Sequence, residues 1–219
     1  MVEKDFIDDN VMKQQKQIAS YTSRTLRDHF GRGPESVYVT LAPSHILIHI
    51  RNFLSPIEEV LLEEEGNEAL ASLRKSIMGP VLAKLELCLQ EKLDTEGFSF
   101  YVDWNFDQKS GLIVGLNWES LFLKTADQPI YSLLEKDIQK LWEYPPADPE
   151  DVFIKRVNSR ITLAGRAGYQ GNEKNNIASQ DITKNYFSKI MGAAVQDIFN
   201  IWNEEGTKNI IVFMTSPYH

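Results

Sequence analysis

Hydrophobic and polar positions fall into short, contrasting patterns along this chain of 219 residues. Residues 8–30 place Met12, Ile18, Tyr21, Thr25, Leu26 and Phe30 on an approximate helical stripe. Gly31 and Gly33 follow and predict its end, because glycine just past the last turn is a common helix stop. Residues 36–41 then alternate, with Val37, Val39 and Leu41 opposite Ser36, Tyr38 and Thr40. After a turn at Ala42-Pro43-Ser44, residues 45–51 alternate again, with Ile46, Ile48 and Ile50 opposite His45, Leu47, His49 and Arg51. Two alternating runs around a tight turn predict a hairpin with one face on a core.

A second helix start comes next. Ser55 suits the N-cap and Pro56 the first helical position, and Glu58 stands at the capping-box spacing. Gly66 is expected to break this short segment. A long helix is predicted over 68–93 on the stripe Leu70, Leu73, Ile77, Val81, Leu85, Leu89 and Leu93, with a kink at Gly79-Pro80. Phe98, Phe100, Val102, Trp104 and Phe106 then share one face of a strand, and 112–118 forms its return. The predicted order is α-β-β-α-β-β.

Shifting the chain by 115 residues brings a second set of similar patterns into register. Gly31-Arg32-Gly33-Pro34-Glu35-Ser36-Val37 lies over Pro146-Ala147-Asp148-Pro149-Glu150-Asp151-Val152, and Ser44-His45-Ile46-Leu47-Ile48 over Ser159-Arg160-Ile161-Thr162-Leu163 without a gap. Two diverged copies of one unit are therefore expected. The fold class is α+β: two α-β-β-α-β-β repeats, each an antiparallel hairpin sheet packed on two helices. The first repeat spans 1–118, a linker 119–129, and a degenerate second repeat 130–219. In the second, a helix is expected over 130–144, a hairpin over 151–157 and 160–166, and a polar loop over 167–178. A long helix over 180–204 follows, with Phe187, Ile190, Met191, Ala194, Ile198 and Trp202 facing inward, and then a single strand over 209–214. The linker is short and partly apolar, so the copies are expected to pack together as an internal pseudo-dimer.

Composition narrows the function classes. The formal net charge is −8, which argues against a broad nucleic-acid footprint. Residues 1–118 hold 18 acids against 12 bases. Six of the acids, Glu58, Glu59, Glu63, Glu64, Glu65 and Glu68, fall within 56–68, where no base occurs. A solvated helix start explains them, since a helix N-terminus tolerates negative charge; if a basic partner docks, this segment is the expected place. The lone cysteine, Cys88, excludes an intrachain disulfide and fits a reducing compartment. No apolar run reaches the roughly 20 residues a membrane span needs, and the first residues lack the order of a signal peptide. A cytoplasmic protein without direct membrane insertion is expected.

Candidate chemistry is sparse. His45 and His49 share a strand face with Arg51, but four residues of strand separate the imidazoles by roughly 13 Å, too far to share one ion. The 115-residue shift places Arg160 and Ala164 at their positions, and a solvent-facing or interface-facing polar face is the plainer reading. Asp103, Asn105 and Asp107 have the spacing of the front of a calcium loop, but Gln108 and Val114 stand where glycine and the closing glutamate are required. A hairpin turn over 107–111 is expected instead. In the Gly31–Ser36 run, Arg32 either caps the preceding helix or, with Glu35, His49 and Arg51, helps hold an anion or partner. Pro-Glu-x-Val occurs in both copies, so that part reads as architecture. Cys88 has no histidine near in sequence and reads as an inert thiol. No nucleophile elbow, phosphate loop or zincin motif occurs. No catalytic residue, metal or cofactor is expected.

Gly31-Arg32-Gly33-Pro34-Glu35-Ser36-Val37, a hairpin, Leu54-Ser55-Pro56-Ile57-Glu58 and a long helix with an acidic start follow one another in this chain. This combination, carried by residues 14–118, resembles the bacterial MpsC-like family. The resemblance implies a soluble, non-enzymatic accessory component of a cation-translocating, membrane-potential-generating system associated with inorganic-carbon uptake. The membrane transport subunit of such a system is another protein, and would be the partner. It implies a cytoplasmic place, including the inner face of the membrane, and supplies no catalytic residues. Self-association is left open, and the competing reading is a small-molecule or anion-binding regulator with a site between the repeats.

Overall fold

The alternation of residues 36–51 becomes an antiparallel hairpin in the computed structural model, which describes residues 9–93, 95–122, 152–167, 188, 194–202 and 208–215. The chain divides into two units, Met1–Leu121 and Phe122–His219. The first contains α1 (Asp9–Phe30), β1 (Ser36–Ala42), β2 (His45–Arg51), α2 (Pro56–Lys92), β3 (Ser99–Asn105) and β4 (Ser110–Leu116), and α3 (Trp118–Phe122) follows at the boundary. Its four strands form one antiparallel sheet in the order β1-β2-β4-β3.

Side chains on one face of this sheet meet the two helices. Val39, Ile48, Ile113 and Val102 lie in one cross-strand row. They pack with Ile18 and Leu26 of α1 and with Leu70, Met78, Val81, Leu85 and Leu89 of α2. Each fully buried aliphatic side chain in this core contributes about 1.5–3 kcal/mol. Phe98, Phe100, Val102, Trp104 and Phe106 all join the core from the predicted face. β4 carries glycine where large rings cross it: Trp104 pairs with Gly111 and Phe100 with Gly115. The opposite sheet face is not the wet surface that its histidines suggest. His45 and Leu47 are each 1% exposed, and Leu112, Val114 and Leu116 are fully buried.

The capping box of α2 forms as predicted. Ser55 is the N-cap, Pro56 stands at the first helical position, and the Glu58 side chain returns to the Ser55 backbone. Gly66 interrupts α2 with φ 81° and ψ −173°, a region essentially confined to glycine. Gly66→Ala should lower stability by about 1–2 kcal/mol, read as a shift in urea midpoint. At Gly79-Pro80, where a kink is expected, the backbone keeps helical φ and ψ; Gly66 is the one non-helical residue inside α2. Both Gly79 and Pro80 are solvent-exposed, and the neighbouring Met78 and Val81 are buried.

The buried stripe of α2 also departs from the predicted one. Leu73 is 38% exposed, and Arg74 and Met78 occupy the inward positions. A stripe stepping through Leu70, Arg74, Met78, Val81, Leu85 and Leu89 satisfies helical periodicity equally well.

The second unit has four described strands, β5 (Val152–Arg156), β6 (Ile161–Arg166), β7 (Val195–Trp202) and β8 (Asn209–Thr215). Their order is β5-β6-β8-β7, the same arrangement as in the first sheet. The helix expected over 180–204 is corrected here, because 195–202 is a strand, and it supplies the pairing partner thought to be missing. The helix expected over 130–144 and the loop core over 168–178 lie outside the described residues. The ungapped shift of 115 is corrected as well. The first hairpin closes at Ala42↔His45 around two residues, whereas Val157 donates to the Ile161 carbonyl around three. Asn158 Oδ1 stabilises this longer turn by accepting from the Arg160 and Ile161 amides at 2.8 and 2.9 Å. Beyond that turn the correspondence slips by one, so Ile161 and Gly165, not Arg160 and Ala164, match His45 and His49.

Candidate functional site

The two short signatures of the first unit meet at one corner, where α1 ends and α2 begins. Gly31 leaves α1 with φ 72°, and a side chain at Gly33 would meet Arg27 Nε at 3.1 Å. Arg32 does not cap the last carbonyls of α1. Its Nη1 donates instead to the Leu54 carbonyl at 3.2 Å, tying the Gly-Arg-Gly-Pro run to the Leu-Ser-Pro-Ile-Glu run. Glu35 pins the start of β1: its amide donates to the Arg51 carbonyl at 3.0 Å, and its carboxylate accepts from Asn52 Nδ2. The Asn52 amide donates to the Lys109 carbonyl at 2.8 Å, and Lys109 Nζ bridges to Glu59 at 2.6 Å. The Lys109 hydrogen bond and charge hold the Glu59 carboxyl below its ordinary range, with a smaller contribution from Arg32 against the opposing effect of burial.

Beneath this surface layer lies a buried ion pair. Glu58 Oε1 and Arg74 Nη2 are 2.7 Å apart, with side chains 4% and 1% exposed. Glu58 Oε2 accepts from the Ser55 amide at 2.8 Å and the Ser55 hydroxyl at 2.9 Å. Three rings enclose the Arg74 guanidinium: Phe53 at 3.9 Å, Trp104 at 4.3 Å and Phe30 at 4.4 Å from centroid to Cζ. A planar, weakly hydrated guanidinium suits such stacking where an ammonium would not. Burial lowers the Arg74 pKa to about 10, with Glu58 acting in the opposite direction. Arg74 is therefore charged at neutral pH, and Glu58 is its counter-ion.

This geometry separates the residues that the sequence grouped. Arg32 is tied to the start of α2, while His49 and Arg51 project from the sheet face opposite Ile48 and Ile50. The His49 ring lies 6.3 Å from that of Tyr38. Glu58, expected in an exposed docking segment, is buried; Glu63, Glu64 and Glu65 are exposed and Glu59 is half-buried. The turn expected over 107–111 forms one to two residues earlier, at 106–109, and β4 begins at Ser110. Among the described residues, no group of three or more His, Cys, Asp or Glu side chains is placed to hold a metal. Cys88 is buried, and desolvation raises its thiol pKa, with Lys92 opposing and Glu91 adding. It is a thiol at neutral pH. Arg74 is the residue that the sequence did not disclose; its signals were the unpaired capping-box glutamate and the aromatic run of β3.

Chemically, Glu58 and Arg74 are engaged with one another, the cap and the rings, while the buried Arg74 Nε has no hydrogen-bond partner among the described residues. The corner defines an α+β domain whose signature residues lock a helix start onto a sheet. Residues 11–116 match the family described as "Na+-translocating membrane potential-generating system (MpsC)". Those residues run from α1 to the end of β4, so the first unit is similar to the MpsC family, and the second unit lies outside the match. No curated protein and no solved structure matches the chain. No helix among the described residues is long and apolar enough to cross a membrane.

Proposed function

We propose that this protein is a soluble, non-enzymatic accessory component of a membrane-potential-generating, cation-translocating system. It acts on the cytoplasmic side and docks a separate membrane subunit. One observation carries this reading: the family match spans the complete α-β-β-α-β-β unit. The second unit is read as a diverged copy of the first. Its support is the shared strand order and the counterpart of the Asn117-to-Ser44 backbone bond in that from Thr215 to Arg160. Affinity capture of the tagged full chain from detergent-solubilised native membranes should recover a polytopic transport subunit. Repeated capture without one, using intact protein, would overturn the proposal.

A further inference from the structure

The outward side of α1 is basic although the first unit is acidic overall. Lys13, Lys16 and Arg24 lie on one helical face with Gln17 and Ser20, and Lys92 from the last turn of α2 borders the same open groove. Met12 and Tyr21 give it apolar contact surface, and Asp9 is its one acid. None of the four cations is ion-paired among the described residues.

A surface of opposite character lies on the first segment of α2. Ile57 is 80% and Val60 59% exposed. Glu64 continues their helical face and Glu63 borders it. These glutamates, with Glu65 and Glu68, are exposed. One surface is therefore basic with two apolar side chains, and the other acidic with two apolar side chains.

The two surfaces cannot meet within one chain. Gln14 Nε2 donates to the Lys92 carbonyl, so the start of α1 lies beside the end of α2. The Glu58–Arg74 pair and the Phe30 ring place the acidic segment at the other end of that helix pair. At 1.5 Å per residue, Lys16 and Phe30 are on the order of 20 Å apart along α1.

We infer that the basic groove of α1 takes the acidic Ile57–Glu65 face of a second copy of this chain, head to tail. Made once per pair, such a contact is heterologous and builds rings or open chains; made reciprocally by two antiparallel copies, it closes a two-fold dimer. It is independent of the accessory-component reading, so either can fail alone.

Sedimentation velocity on the full chain tests it, with Lys13→Glu/Lys16→Glu and Glu63→Lys/Glu64→Lys as the variants and far-UV circular dichroism as the folding control. The wild type should self-associate with increasing concentration. Raising salt from about 50 to about 500 mM should weaken the association, because the charges are exposed. Each double variant should weaken it by about tenfold or more. Mixing the two variants should restore it, since each then presents the charge the other needs. A wild type that stays monomeric to about 100 µM, or an association indifferent to both swaps, would overturn the inference. So would a monomer whose groove binds vesicles of anionic phospholipid and loses them in Lys13→Glu/Lys16→Glu, which would make lipid the occupant.

Discussion

Arg74→Ala should destabilise the first unit by about 3–5 kcal/mol, the cost typical of removing one partner of a buried ion pair. The substitution leaves the Glu58 carboxylate buried without its counter-charge. It also empties the space between Phe30, Phe53 and Trp104. Arg74→Lys should recover little of the loss, because an ammonium neither stacks on three rings nor presents a planar fork. Urea unfolding followed by tryptophan fluorescence gives the change, and Trp104 reports it from within the cage. A loss below about 1 kcal/mol, the size of an exposed ion pair, would show that the pair is not desolvated as described.

Gly111→Val should cost about 3 kcal/mol, the upper part of the usual range for overpacking. A Cβ at Gly111 would lie 2.3 Å from Trp104 Cε3 and Cζ3. The indole cannot yield cheaply, since it packs 4.6 Å from the Phe53 ring and covers Arg74. The valine therefore dismantles the cage from the sheet side. Loss of the near-UV dichroism of Trp104 should accompany the lowered midpoint. A variant as stable as the parent would mean that the indole swings clear of β4.

Much of the first unit was legible from residue chemistry. Alternation located β1 and β2 because only one of their faces carries a continuous apolar row. Ser55, Pro56 and Glu58 marked the start of α2 because capping depends on a few local atoms. Gly66 was legible because its φ and ψ suit no other residue. Burial on both faces hid β7. Val195, Ile198, Phe199 and Ile201 are all buried, which removes the alternation and leaves spacings that also fit a helix. The bulge between Val195 and Asp197 blurs the pattern further. Arg74 was hidden for a different reason. A charged residue reads as solvent-facing, and its inward position depends on Glu58 and three rings brought together from α1, β3, α2 and the segment before α2. The one-residue difference between the hairpins escaped because similar apolar residues stand on either side of the slip.

The most direct test of a structural role for the signature corner is a double-mutant cycle on Glu58 and Arg74, using Glu58→Gln, Arg74→Met and their combination in urea unfolding. Glutamine keeps a capping-box side chain, and methionine fills the space among the rings as a flexible thioether. Each single variant leaves a buried charge unpaired and should lose about 3 kcal/mol or more. The double variant buries no charge and should lose less than either single one, a coupling of about 3 kcal/mol or more. Losses that add to within about 0.5 kcal/mol would contradict a desolvated, mutually dependent pair.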